Sequence, residues 1–195
     1  MKKVKVLFID DIESSYNDFK LIEGLDISNK EIVFEIINRQ SHFDIDSENQ
    51  IENIEEEIDW SIKNGVEILI LDIYLTHDEH DNKQIPNDIS TFSSVLLEEK
   101  YYESIKLIIF TSSSDIEAVS DFEDMKRKYP VLFKERWKFI PKIIIDYPDI
   151  PIEELCPRLC GDESKYNPSP PCTSVECIYW QLVYHYKIVE DMEKK

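Results

Sequence analysis

Apolar positions in this chain follow two alternating periods, short β-branched runs and stretches of helical spacing. Residues 4–9 (VKVLFI) form a run that closes on Asp10 and Asp11. Largely apolar on both faces, it reads as a buried strand. Residues 12–24 then place Tyr16, Phe19, Leu21 and Ile22 at helical intervals, with Gly24 as a helix end. A second strand is expected at 32–37, and the polar, acidic stretch from 38 to 50 reads as loop. Ile51, Ile54, Ile58 and Ile62 recur at helical spacing up to Gly65. Residues 66–71 (VEILIL) predict a third strand ending at Asp72, followed by a long polar loop at 76–88.

Residues 88–102 read as helix, capped by Asp88. Residues 105–110 predict a fourth strand, which closes on Thr111, Ser112, Ser113 and Ser114. A helix is expected at 116–128 and a fifth strand at 137–145, where Pro141 marks an edge, a bulge or a strand end. Beyond Pro148 the chain turns proline-rich. A final amphipathic helix is expected at 174–192, with Val175, Ile178, Leu182, Tyr186 and Val189 on one stripe. Thr173 and Glu176 have capping-box spacing at its start. Five strands alternating with helices predict an α/β fold, a five-stranded parallel doubly wound sheet covered on both faces. Residues 1–149 carry that domain, and 150–195 form an extension of loop plus helix.

Charge narrows the range of partners. With 41 acidic and 22 basic residues, the net charge is −19. Nucleic-acid binding draws its affinity from Lys and Arg neutralising phosphates, so such a surface repels that polyanion and no nucleic-acid partner is expected. The acid between Asp44 and Asp59 reads as solvated surface. No apolar run is long enough to span a bilayer, and the first residues, MKKVKVLFIDD, have too short an apolar stretch for a signal peptide. A cytoplasmic protein without a membrane partner is expected.

In open α/β sheets ligands collect beyond the carboxyl ends of the strands. Strand one delivers Asp10 and Asp11 there, strand three Asp72, strand four Thr111 and Ser112, and strand five Lys142. Three converging carboxylates repel one another unless a cation sits among them. Hard oxygen ligands in an open cluster suit Mg²⁺, which keeps waters and accepts phosphate oxygens. A hydroxyl and an ammonium opposite that metal would serve a phosphoryl group.

The segments VLFIDDIE, ILILDIYL, LIIFTSSS and FIPK resemble the successive signature segments of response regulator receiver domains, and they occur in the family's order. The resemblance covers roughly residues 3 to 145 and implies a flavodoxin-like receiver fold. It makes Asp72 the phospho-acceptor. Asp11 would ligate Mg²⁺ directly, Asp10 mainly through water, and the Tyr74 backbone carbonyl would add a ligand. Thr111 and the Ser112 N–H would bind the phosphoryl group, Lys142 would pair with it, and Phe139 sits where the family often carries a rotating aromatic. The implied partners are a histidine kinase or phosphotransfer protein and a downstream protein.

The chain departs from the family pattern in places. Spacings between the signature residues are longer than usual. Pro141 precedes Lys142 where the family has proline after the lysine, which leaves Lys138 as a substitute. No helix is evident directly after Lys142. A non-phosphorylated receiver-like binding module is the alternative function. A haloacid-dehalogenase-type phosphohydrolase fits less well, because the second aspartate it needs is Ile12 after Asp10 and Tyr74 after Asp72. Beyond self-phosphorylation and self-dephosphorylation at Asp72, no enzyme is expected.

Two clusters stay open. Cys156, Cys160, Cys172 and Cys177 are either free thiols or a structural Zn²⁺ site, since disulfides are rare in a reducing cytoplasm. The contiguous His77, Asp78, Glu79, His80 and Asp81 read as a solvated loop before a metal site.

Overall fold

The computed structural model describes residues 1–9, 13–26, 31–39, 54–72, 76–77, 84–85, 104–112, 124, 127–130, 136–141 and 174–194. Five strands form one sheet: β1 (Lys2–Ile9), β2 (Ile32–Asn38), β3 (Val66–Asp72), β4 (Leu107–Ser112) and β5 (Trp137–Pro141). Their order is β2-β1-β3-β4-β5, and every pairing is parallel. This is the doubly wound order of flavodoxin-like folds.

The order dictates where the helices lie. From β1 to β2 the chain steps one way across the sheet, and from β2 to β3 it steps back past β1. Right-handed crossovers therefore put α1 (Glu13–Lys20) and α2 (Ile54–Lys63) on opposite faces. Alternation along each strand feeds both faces at once. Val6, Phe8, Ile68, Ile70, Leu107 and Ile109 belong to one apolar cluster, while Leu7, Leu69, Leu71 and Ile108 alternate with them and are also buried. That double burial explains the near-continuous apolar strands.

On the first face, α1 and the 3₁₀ turn Leu21–Gly24 supply Phe19 and Ile22. The Phe8 and Phe19 rings meet at 4.5 Å between centroids. That face is also covered by α3 (Ser174–Glu193), the C-terminal helix. Ile178, Leu182, Tyr186 and Val189 of the expected stripe are buried there, with Val175 packed partly against them. Cys177, Tyr179, Gln181 and Val183 are buried as well, so the covered surface is wider than one stripe. Each such aliphatic side chain contributes about 1.5–3 kcal/mol by leaving water. The C-terminal helix is thus a component of the sheet's own core.

The far end of α3 is tied to the start of the sheet by charge. Its last turn carries acid and no base, which the helix dipole disfavours. Cations from the strand starts answer it. The Tyr186 hydroxyl donates to Glu67 Oε2 at 2.5 Å and accepts from Lys2 Nζ at 2.6 Å. Lys2 also pairs with Glu190. Lys106 Nζ lies 3.2 Å from Glu67 and 3.4 Å from Glu193, and Arg136 reaches Glu193 at 3.6 Å. The β1–β3 register shifts between Lys5 and Val6, leaving Glu67 as the extra residue. Bulges of this kind re-aim a side chain, and this one lies where Glu67 meets α3.

Several elements differ from the sequence reading. The expected first helix is α-helical only to Lys20 and then tightens into the 3₁₀ turn. Within the stretch expected as loop, Thr76–His77 pairs antiparallel with Gln84–Ile85. The helix expected at 88–102 lies outside the described residues, as does most of 116–128, where Asp124, Arg127 and Lys128 are helical. No helix among the described residues is long and apolar enough to cross a membrane.

Leu182 is fully buried between α3 and the sheet. Leu182→Ala should therefore lower stability by about 2–5 kcal/mol. Urea titration followed by far-UV circular dichroism should show an earlier midpoint. A midpoint equal to the parent's would mean that α3 is not docked.

Candidate functional site

The carboxyl edge of the sheet is where this fold presents chemistry. β1 ends at Ile9, which lies beside Leu71 in the register. One residue further, β3 ends at Asp72, opposite Thr111 of β4. Ser112 ends β4 opposite Pro141 of β5. β1 and β3 are the adjacent strands at which the winding direction reverses. Of the expected site, the structure thus brings Asp72, Thr111 and Ser112 to one edge. Asp10, Asp11, Tyr74 and Lys142 lie outside the described residues.

Thr111 is the most informative of these side chains. It follows Ile109 by two residues on the face that packs against α3, and it is fully buried. Among the described residues its Oγ1 has no hydrogen-bond partner. A buried hydroxyl left unpaired costs about 1–3 kcal/mol. A buried polar atom left without a partner marks a place that calls for a functional explanation. A hydroxyl beside the terminal aspartate of the central strand fits a phosphoryl oxygen as its partner.

Lys138, the substitute for Lys142, is placed elsewhere. It sits opposite Ile109 on β5, well before the register of Ser112. Its charge acts on His185 of α3. Burial and, to a lesser extent, the Lys138 ammonium together push the His185 imidazole down to about 4. Nδ1 of His185 is buried with no hydrogen-bond partner among the described residues. The sequence reading passed over this residue, although it lies three residues after Leu182 and four before Val189, at the edge of the helix's apolar stripe.

A second feature escaped the sequence reading. Arg39, just past β2, donates to Glu57 of α2 through Nε at 2.6 Å and Nη2 at 2.9 Å. Its guanidinium also stacks 3.8 Å above the Trp60 ring. The bond to Glu57 holds the Arg39 pKa above its ordinary value, against the opposing effect of burial. Bidentate, charge-assisted geometry of this kind is strong and directional. It clamps the carboxyl end of β2 to α2. Glu57 belongs to the acidic run read as solvated surface, yet it is buried.

Cys177 occupies the α3 core, where its Sγ accepts from Gln181 Nε2 at 3.5 Å. Cys156, Cys160 and Cys172 lie outside the described residues. Among the described residues no group of three or more His, Cys, Asp or Glu could hold a metal ion. His77 is in the short ladder, and the rest of its acidic cluster is outside that set. Compared with known proteins, the chain matches no family model and no curated protein.

His185 gives the fold a pH dependence of defined sign. Its folded pKa is depressed to about 4 from 6.5, so below about pH 6.5 the unfolded chain binds the proton more readily. Stability therefore falls as pH drops from about 6.5 towards 4. The slope is at most about 1.4 kcal/mol for each tenfold rise in proton concentration. His185→Gln should remove that component. Urea midpoints from pH 7.5 to 4.5 should converge on, or cross, those of the parent as pH falls. A constant difference at every pH would show that His185 titrates normally.

Proposed function

We propose that this chain is a phospho-acceptor signalling module of the response regulator receiver type, with Asp72 as the residue that takes the phosphoryl group. The observation that carries this reading is the register at the carboxyl edge. The terminal aspartate of the central strand lies opposite a buried threonine whose hydroxyl has no partner among the described residues. The 2-1-3-4-5 strand order supports it, because it sets β1 and β3 side by side at the switch point. Asp10 and Asp11 follow Ile9 directly, and Lys142 follows Pro141 directly. The helix that was not evident after strand five also has a counterpart. α3 packs on the same face of the sheet as α1, with a long segment between it and β5.

In this reading a carboxylate oxygen of Asp72 attacks the phosphorus of a phosphohistidine on a histidine kinase or phosphotransfer protein. The bond from phosphorus to the imidazole nitrogen breaks, and an acyl phosphate forms. Asp10, Asp11, Asp72 and the Tyr74 carbonyl would hold Mg²⁺, which would supply charge neutralisation. Thr111 hydrogen-bonds the new phosphoryl group, the Ser112 N–H donates to it, and Lys142 pairs with its charge. Pairing the Thr111 hydroxyl removes the cost of leaving it buried and unbonded. The output is protein–protein contact, consistent with the acidic net charge of −19.

Incubation with acetyl phosphate and Mg²⁺ should add one acid-labile phosphoryl group, seen by intact-mass spectrometry. Asp72→Asn should abolish that adduct with the circular dichroism unchanged, and Asp11→Asn should suppress it. A parent protein that is folded yet takes no phosphoryl group would favour the non-phosphorylated binding module.

A further inference from the structure

The two edges of the sheet are not managed alike. β5 carries Lys138 and Pro141, a charge and a missing donor that discourage strand addition. β2, the opposite edge, reads IVFEIIN, with one charged residue and neither proline nor glycine. A segment of that length, β-propensity and low charge is a hazard for edge-to-edge pairing.

The backbone of β2 shows which of its groups are at risk. The Lys2 N–H donates to the Glu31 carbonyl at 2.8 Å, so the odd-numbered positions turn towards β1. Strand alternation then directs the N–H and C=O of Ile32, Phe34 and Ile36 outward. Two of these outward groups are held by side chains. The Ile36 N–H donates to Glu23 Oε1 at 2.6 Å. The Ile32 carbonyl accepts from the Tyr179 hydroxyl at 2.9 Å. The partners come from separate elements, the 3₁₀ turn and α3, and they bracket Phe34. The Phe34 ring itself packs edge-on against Tyr179 at 5.6 Å between centroids.

We propose that Glu23 and Tyr179 plug the outer edge of β2 against addition of a second strand, so that helix docking and edge protection are one device. An incoming strand needs the same N–H and C=O groups and must approach to about 4.8 Å. Glu23 occupies a donor that strand would need, and its carboxylate offers no donor in return. Tyr179 occupies an acceptor and holds the ring of Phe34 beneath the same edge. Undocking α3 would remove one plug and expose the apolar face beneath it, which makes β2 the site where a destabilised chain pairs with a second copy.

The full-length chain tests this through Glu23→Ala, Tyr179→Phe and the double variant, with Glu23→Gln as the conservative control. Glu23→Ala should speed exchange of the Ile36 amide by up to about tenfold in dilute solution, the scale of one lost hydrogen bond. The double variant should associate with rising concentration in sedimentation velocity, and the Phe34 and Ile36 amides should regain protection as it does. Glu23→Gln keeps an acceptor and should behave as the parent. The single variants keep the test decisive should the double variant lose its fold. A folded double variant that sediments as the parent at every concentration would overturn the proposal. Exchange of the Ile36 amide as fast in Glu23→Gln as in Glu23→Ala would also overturn it, because charge and not the hydrogen bond would then be the protecting element.

Discussion

A parallel sheet carries two apolar faces, and water can be left on neither. In this chain one face is closed by α1 and by a helix that begins at Ser174, more than thirty residues after β5 ends at Pro141. The closure depends on Leu182, Tyr186 and Val189 reaching Ile68, Ile70, Leu107 and Ile109, which are fully or almost fully buried. Without α3 the central strands would present continuous Ile, Val and Leu surface to solvent. The rest of the molecule follows from that requirement. The strand ends, the edge of β2 and the charge network at the strand starts all take their positions from a sheet that α3 closes.

Charge and burial divide the labour along α3. Near the strand starts the helix is tied by Lys2, Lys106 and Arg136 to acids that would otherwise oppose its dipole. Burial raises the Tyr186 pKa, and so does the bond to Glu67; the hydroxyl keeps its proton as the bridge between β3 and α3. Tyr179 is pushed up to about 12, chiefly by burial, and keeps its proton for the Ile32 carbonyl. At the carboxyl edge the balance differs. Thr111 is buried beside the end of β3, its hydroxyl without a partner among the described residues. The charge network thus ties α3 at the strand starts, while Thr111 leaves bonding capacity unmet at the carboxyl edge.

The strands were legible in the sequence because double burial leaves uninterrupted apolar runs, and VKVLFI, VEILIL and LIIF need no tertiary information to read. The stripe of α3 was legible for the same reason, since 3.6-residue periodicity survives any packing partner. The breadth of the buried surface on α3 was not. Cys177 and Gln181 are buried by neighbours that a helical wheel does not contain. Glu57 looked like one more surface acid because its partner, Arg39, is eighteen residues away and joined only by the fold. His185 and Lys138 come together for the same kind of reason, across a helix–strand contact. The ladder at Thr76–His77 and Gln84–Ile85 has three polar residues and one isoleucine and reads as loop, since two-residue strands have too few positions for a period. Of the candidate site, Asp72, Thr111 and Ser112 were readable as strand ends, because each closes an apolar run.

The most direct measurement is a titration of isotope-labelled protein with Mg²⁺ and beryllofluoride, a phosphoryl mimic, followed by backbone amide resonances. If the carboxyl edge is a phosphoryl site, the Thr111 and Ser112 amides should shift only when both components are present. The same titration of Asp72→Asn should leave them unmoved. Resonances indifferent to the pair of ligands, or shifting equally in Asp72→Asn, would contradict the assignment of this edge as the place where the chain takes a phosphoryl group.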